Sequence, residues 1–360
     1  MNESLGDSIL RHLGIIVVHF GEVSRTINCI YSLAKAIQML KSSYPMRVSV
    51  LIVDNSGNLS LEDNRSLEDF EIRCLKSEKN LGYAGACYIG AKLLKDSSLL
   101  LFSNNDVVFS EDSLTQLLRT LDSLPEAGAV QPLVLTKNGL RVDSAGLTCN
   151  GIMHGFNYSN WPIKPPNKCF TANGVKVMEC FGIDGMAFAI RKKVWDEVGG
   201  WDPTFFMFNE DGLLSWKLRL RGYKNYVALS SIIYHERGGT AKGYFTKKEP
   251  IFPSYYISRN KILSILYVHE GILLVAYFFL SLFFEFAKNL VLSVKNRSGI
   301  NIYYYFKALT SVLRNRKHIV DERKKVFRKY SARYFLKKGY ILSLKTSIGW
   351  LLKRRETILE

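Results

Sequence analysis

The chain has 360 residues, of which 47% are apolar and 22% charged. It can bury a sizeable core and does not have the composition of a disordered protein; nine prolines and 26 glycines also exclude a collagenous or low-complexity chain. The formal net charge of +17 is unevenly spread: residues 1–286 hold 30 Lys+Arg against 28 Asp+Glu, while residues 287–360 hold 19 against 4, so a near-neutral globular body carries a basic tail.

The first hundred residues alternate between strand and helix patterns. Residues 13–19 (LGIIVVH) form a β-branched run suited to a parallel strand buried on both faces. At six apolar residues, 13–18 is too short for the core of a secretory signal. Residues 24–40 place Ile27, Ile30, Leu33, Ala34, Ile37 and Leu40 at helical spacing. Residues 47–53 (RVSVLIV) predict a second strand, which ends in Asp54-Asn55-Ser56-Gly57. A short strand at 72–75, a small-residue helix at 82–95 and a strand at 98–102 follow, the last running into Ser103-Asn104-Asn105-Asp106. This is an α/β, doubly wound, mostly parallel layout, in which ligands bind at the carboxyl ends of the strands.

Residues 125–180 show little periodicity and predict loops and short strands covering a site, with a basic, proline-rich stretch at 161–168. Pattern returns with a strand at 186–190, a helix at 211–221 and a strand at 226–234. Residues 262–286 are strongly apolar, but the uncharged run 271–284 has only 14 residues between Glu270 and Glu285, fewer than the roughly 20 a spanning helix needs. A buried helix, an in-plane membrane helix and a spanning helix are all compatible with it. Basic, aromatic helices follow, with clusters at 303–306, 323–325 and 353–355. The six cysteines form no C-x-x-C pair, which argues against a zinc ribbon and for a reducing compartment.

Four blocks carry the chemistry. Asp54 sits at a strand end, where its carboxylate can accept from the imide of a nucleotide base or simply close an Asx-turn. Asn80-Leu81-Gly82-Tyr83-Ala84-Gly85-Ala86 opens a helix with glycines that admit a close ligand, although its spacing departs from a dinucleotide fingerprint. Asn104-Asn105-Asp106 offers hard oxygens for a cation that bridges two phosphates. The last block runs from Phe181-Gly182-Ile183-Asp184-Gly185-Met186 through Gly199-Gly200-Trp201-Asp202-Pro203 to Phe208-Asn209-Glu210-Asp211. Paired carboxylates among aromatics are costly to desolvate unless they have partners or a task.

Taken in order, these blocks, together with Arg221-Gly222-Tyr223, Tyr234-His235 and Tyr255-Tyr256-Ile257-Ser258-Arg259-Asn260, resemble family 2 glycosyltransferases of the GT-A fold. The resemblance covers about residues 13–262 and is greatest to a bacterial branch containing rhamnosyl- and galactofuranosyltransferases. It implies an inverting hexosyltransferase that takes a nucleotide-sugar donor, dTDP-rhamnose or a UDP-sugar, and uses Mg²⁺ or Mn²⁺. The acceptor it implies is lipid-linked or a growing cell-surface polysaccharide. By match to the motifs, Asp211 is the general base and Glu210 its support. Asp54 reads the base, while Asn80, Gly82, Asn105 and Asp184 line the donor site. Asp106 and His235 are the metal ligands, and His19 lies near the nucleotide. The sequence departs from the family pattern at Leu213, where a second aspartate is usual, at Lys217 in place of arginine, and at Trp201 in place of phenylalanine.

The chain then divides into a catalytic domain, 1–262, and a helical, basic extension, 263–360. Lys and Arg beside apolar helices fit an anionic membrane surface, so the expected location is cytoplasmic, peripheral on the inner face of the plasma membrane. Two other readings compete: a nucleic-acid-binding protein using the basic tail, and an inactive scaffold with a transferase fold, suggested by the single carboxylate of the 104–106 loop.

Overall fold

The computed structural model describes residues 11–60, 71–153, 155–157, 169–236 and 253–341. The 161–168 stretch and the 353–355 cluster lie outside them.

The N-terminal part follows the predicted alternation. Strand β1 (His12–His19) is buried on both faces over most of its length. Helix α1 (Val23–Ser43) packs Cys29, Ile30, Leu33, Ile37 and Leu40 against the sheet and returns the chain to β2 (Arg47–Asp54). Strand β3 (Glu71–Lys76), helix α2 (Gly82–Leu93) and β4 (Leu99–Asn104) complete the unit. All four strands are parallel, in the order β3-β2-β1-β4. Register sets His19 beside Asp54 on one side of β1, and Val18 beside Asn104 on the other. Strand order reverses at β1, so the polar loops after β1, β2 and β4 open into one crevice.

The chain continues through β5 (Val107–Phe109), α3 (Ser113–Ser123), β6 (Ala127–Thr136), β7 (Val142–Ser144), β8 (Leu147–Cys149), β9 (Gly155–Asn157), β10 (Cys169–Ala172), β11 (Val175–Cys180), β12 (Ala187–Arg191), α4 (Lys192–Glu197), α5 (Glu210–Arg221) and β13 (Lys224–His235). The sheet runs β10-β11-β13-β6-β12-β4-β1-β2-β3, with β5 on β13 and β7 on β6. Strand β12 enters antiparallel between β4 and β6, whereas β6 and β13 pair in parallel.

The expectation of loops and short strands over 125–180 needs correction at β6, a ten-residue strand in the middle of the sheet. Gly128, Gln131 and Pro132 disguise its pattern. Proline gives no ladder N–H, and the register to β13 slips there, from Ala228 opposite Pro132 to Ile232 opposite Leu133.

An aromatic cluster fills the space beneath the crevice. Phe102 lies 4.5 Å from Trp195 and 5.2 Å from Trp201, ring centre to ring centre. Fully burying one such side chain contributes about 1.5–3 kcal/mol.

Beyond the sheet come α6 (Pro253–Val268), α7 (Gly271–Lys295), α8 (Ile300–Arg314), α9 (Arg316–Lys325) and α10 (Ala332–Lys337). The chain breaks at His269, whose ring is buried with Nε2 2.7 Å from the Gly151 carbonyl. Helix α7 does not stop at Glu285 as the uncharged run suggests. It continues ten residues further, and Glu285 is neutralised inside the fold by Lys261, Nζ to Oε1 at 3.0 Å.

Candidate active site

The crevice is a cavity of about 340 Å³. One wall comes from the strand ends and carries Asn80, Asn105 and Asp106; the other carries Asp184, Glu210 and Asp211.

The second wall depends on an unusual loop. Phe206, Phe208 and Asn209 have φ of 63°, 68° and 65°, the left-handed region that costs non-glycine residues of order 1–3 kcal/mol each. Helix α6 holds the loop in place. Asn260 Nδ2 donates to the carbonyls of Phe205, Met207 and Phe208 at 2.9, 2.7 and 2.8 Å, and the Arg259 guanidinium donates to those of Thr204 and Phe205. Tyr256 stacks on Phe206 at 4.8 Å. Gly82, at φ 68°, meets the same loop: a Cβ there would lie 2.2 Å from the Phe206 carbonyl oxygen. Its missing side chain therefore serves close approach of two backbones.

Three carboxyl groups converge on this second wall. The Asp211 carboxylate accepts from the Gly212 amide at 2.6 Å and from the Gly185 amide at 3.2 Å. Burial raises its pKa, and those amides, which favour the charged form, oppose the rise. Burial pushes Asp184 up to about 7, with the Asp211 charge adding to the effect. Glu210 is raised well above the usual carboxylate range, by burial first and then by Asp211. Its Oε2 is buried without a hydrogen-bond partner among the described residues. Asp211 is thus the carboxyl best placed to be ionised, and Glu210 the one best placed to stay neutral.

Asp106 sits where β13 pairs with β5, His235 opposite Val107. His235 Nε2 is 3.4 Å from Asp106 Oδ2, and Nδ1 is 2.7 Å from Asp143 Oδ2. Burial disfavours the charged imidazole, but the two carboxylates outweigh it and raise its pKa. Asp106 Oδ1 is buried without a hydrogen-bond partner among the described residues. A buried, unpaired carboxylate oxygen beside an imidazole suits a divalent cation. Among the described residues no three His, Cys, Asp or Glu side chains form a ready cage. Asp106 and His235 are the two side chains that would hold such a cation. Asp143 was not singled out in the sequence; it lies in the 125–180 stretch whose pattern was obscure.

The remaining expected site residues fall in two groups. Asn80 and Asn105 line the cavity, and each also fixes its own loop: Asn80 Oδ1 accepts from the Gly82 amide at 2.9 Å, and Asn105 Nδ2 donates to Thr26 Oγ1 at 2.8 Å. Asp54 is placed otherwise. Its carboxylate is fully buried and accepts from the amides of Ser56, Gly57 and Leu59 at 2.9, 2.8 and 3.1 Å. It closes the turn, while its neighbour Asn55 lines the cavity. His19 is likewise buried behind the wall, with Nδ1 2.5 Å from Thr26 Oγ1 and Nε2 2.8 Å from Asn58 Oδ1. The departures from the family pattern face inward: Leu213 is in the core, and Lys217 Nζ donates to the Gly200 carbonyl at 3.0 Å.

The family model for glycosyl transferase family 2 matches residues 14–199. N-acetylglucosaminyl-diphospho-decaprenol L-rhamnosyltransferases of two Mycobacterium tuberculosis strains, CDC 1551 / Oshkosh and ATCC 25618 / H37Rv, are each 26% identical over 212 residues, covering 54% of this chain and 69% of the relative. Among solved structures, GalNAc-T7 with UDP, GalNAc and Mn²⁺ superposes with a TM-score of 0.59 at 16% identity over 76% of this chain and 50% of that one. This chain thus spans half the length of the GalNAc-T7 chain it matches. S. aureus TarS 1-349 in complex with UDP-GlcNAc gives 0.54 at 15% identity over 87% and 88%. These structural likenesses are of fold, the GT-A arrangement.

Proposed function

The chain belongs to the family 2 glycosyl transferases, and we propose that it transfers a hexose, with inversion, from dTDP-rhamnose or a UDP-sugar to a lipid-linked or growing cell-surface polysaccharide acceptor at the cytoplasmic face of the membrane. The observation that carries this reading is one cavity holding Asp211 on one wall and Asp106 on the other. The lipid-linked acceptor is supported by the relatives named for a diphospho-decaprenol substrate.

In this reading Asp211 takes the acceptor hydroxyl proton. The acceptor oxygen bonds the anomeric carbon as the bond from that carbon to the diphosphate breaks. The amides of Gly185 and Gly212 orient the carboxylate, and Glu210 beside it is its support. Asn80, Gly82 and Asn105 border the nucleotide and Asp184 the sugar; Asp54 closes the turn that carries Asn55 to the cavity. Asp106 and His235 would hold Mg²⁺ or Mn²⁺, which when bound neutralises charge on the leaving diphosphate. The catalytic unit is residues 1–262, and 263–360 is the membrane-associating extension. A panel of nucleotide-sugars, read by melting temperature with and without Mn²⁺ and then by transfer to a lipid-diphosphate acceptor, tests the reading; no donor stabilisation and no transfer across the panel would refute it.

A further inference from the structure

Helix α7 is built inside out. Its buried residues are Ser281, Glu285, Asn289 and Ser293, one stripe at four-residue spacing. Its outward face is apolar: Ile272, Phe279, Phe283 and Val294 are 79%, 63%, 65% and 72% exposed. Three residues of the polar stripe bond within the fold, while Ser281 Oγ and Asn289 Oδ1 are buried without a hydrogen-bond partner among the described residues. Glu285 pairs with Lys261 and accepts from Ser258 Oγ at 2.8 Å, Asn289 Nδ2 donates to the same hydroxyl at 3.2 Å, and Ser293 Oγ accepts from the Ile302 amide at 3.2 Å. Helix α8 extends the exposed surface with Tyr303 and Leu313. A soluble protein does not present such a face without something to cover it.

We propose that this face lies flat in the interfacial layer of an anionic bilayer, as an in-plane anchor and not a spanning helix. The inference rests on the membrane-borne acceptor of the preceding reading. Two observations choose the occupant. The apolar face is followed by the part of the chain with 19 Lys+Arg against 4 Asp+Glu, which complements anionic headgroups. The middle of α7 is also tied to α6 by the Glu285–Lys261 pair, and the next residues of α6, Arg259 and Asn260, hold the cavity loop. At 25 residues and about 1.5 Å per residue, α7 is long enough to cross. Crossing would draw that ion pair and the wall of the cavity to bilayer depth, where charged groups are expelled. Lying in the plane covers the apolar face and leaves the ion pair inside the fold and the cavity open to water.

The test uses the full-length chain with vesicles of phosphatidylcholine alone or mixed with phosphatidylglycerol. Wild type should bind the anionic vesicles and be partly released by salt. The variant Phe279→Glu/Phe283→Glu should bind at least about tenfold more weakly at an unchanged melting temperature, with Ile272→Glu/Val294→Glu as an independent second pair. Unchanged binding in both pairs overturns the proposal, as does self-association of wild type without vesicle binding, which would assign the face to a second copy. Nitroxide labels at positions 272, 283 and 294, with Cys74 and Cys169 replaced by serine, should report one shallow depth. A deep 283 with the two ends at opposite surfaces would mean a spanning helix and overturn the in-plane assignment. Calorimetric binding of dTDP or UDP in Mn²⁺ by the same proteins reports separately on the transferase reading: its absence in a wild type that still binds vesicles overturns that reading and leaves this one standing.

Discussion

The backbone amide of Gly185 donates to Oδ2 of Asp211 at 3.2 Å, tying the Asp184 loop to the first turn of helix α5. That bond brings two buried carboxyl groups together, and the Asp211 charge makes Asp184 harder to ionise.

The first prediction concerns pH. Asp184 is pushed up to about 7 and Asp211 is raised. A general base must be unprotonated, so kcat/KM should rise with pH along an acidic limb displaced above the usual carboxylate range. Stability should respond with the matching sign. A carboxyl raised in the folded state costs stability progressively as pH climbs from its unfolded value, about 3.9, through its folded value. Asp184→Asn should therefore melt higher than wild type at pH 8 and converge with it near pH 4. Equal melting curves at pH 8 would contradict the raised Asp184 carboxyl.

The second prediction concerns the cation. Asp106→Ala should weaken UDP or dTDP binding in Mn²⁺ far more than in EDTA, since the lost group is a buried carboxylate oxygen beside His235. Calorimetry in the two buffers checks this; equal losses would make Asp106 a turn residue only.

The third concerns the clamp. Asn260→Ala removes the two Nδ2 hydrogens that three loop carbonyls share. At about 1 kcal/mol net per hydrogen bond, the cost is about 2–4 kcal/mol, read as a lower urea midpoint at unchanged slope. Because the loop carries the cavity wall, donor affinity should fall as well. A stable variant with normal affinity would show that the strained loop holds itself.

The fourth concerns Gly82. Alanine there meets the Phe206 carbonyl oxygen and a φ of 68°, so the loop must move or the helix must unwind at its start. Backbone strain of this kind costs about 1–3 kcal/mol. Gly82→Ala should lower the melting temperature and weaken donor binding together; donor binding unaffected at a lower melting temperature would separate the glycine from the site.

These residues also show what the sequence discloses and where it falls silent. The parallel strands were legible because burial on both faces demands unbroken β-branched runs, as in β1 and β2. Strand β6 was not, since Pro132 and its slipped register are settled by the partner β13. Asp211, Asp184 and Asp106 stood out as carboxylates at element ends. Asp54 stood out for the same reason, yet its carboxylate faces its own loop, a choice between turn and ligand that spacing cannot make. The burial of Glu285 within α7 depends on Lys261, 24 residues earlier in the chain. Its inverted faces depend on which side α6 occupies.

The most direct test of the account is Asp211→Asn, assayed for transfer and for donor binding on the same preparation. The account predicts transfer reduced by about 10²–10⁴-fold, with Mn²⁺-dependent nucleotide-sugar affinity and melting temperature close to wild type. Near-normal turnover in that variant would contradict it and move the proton acceptor elsewhere in the cavity.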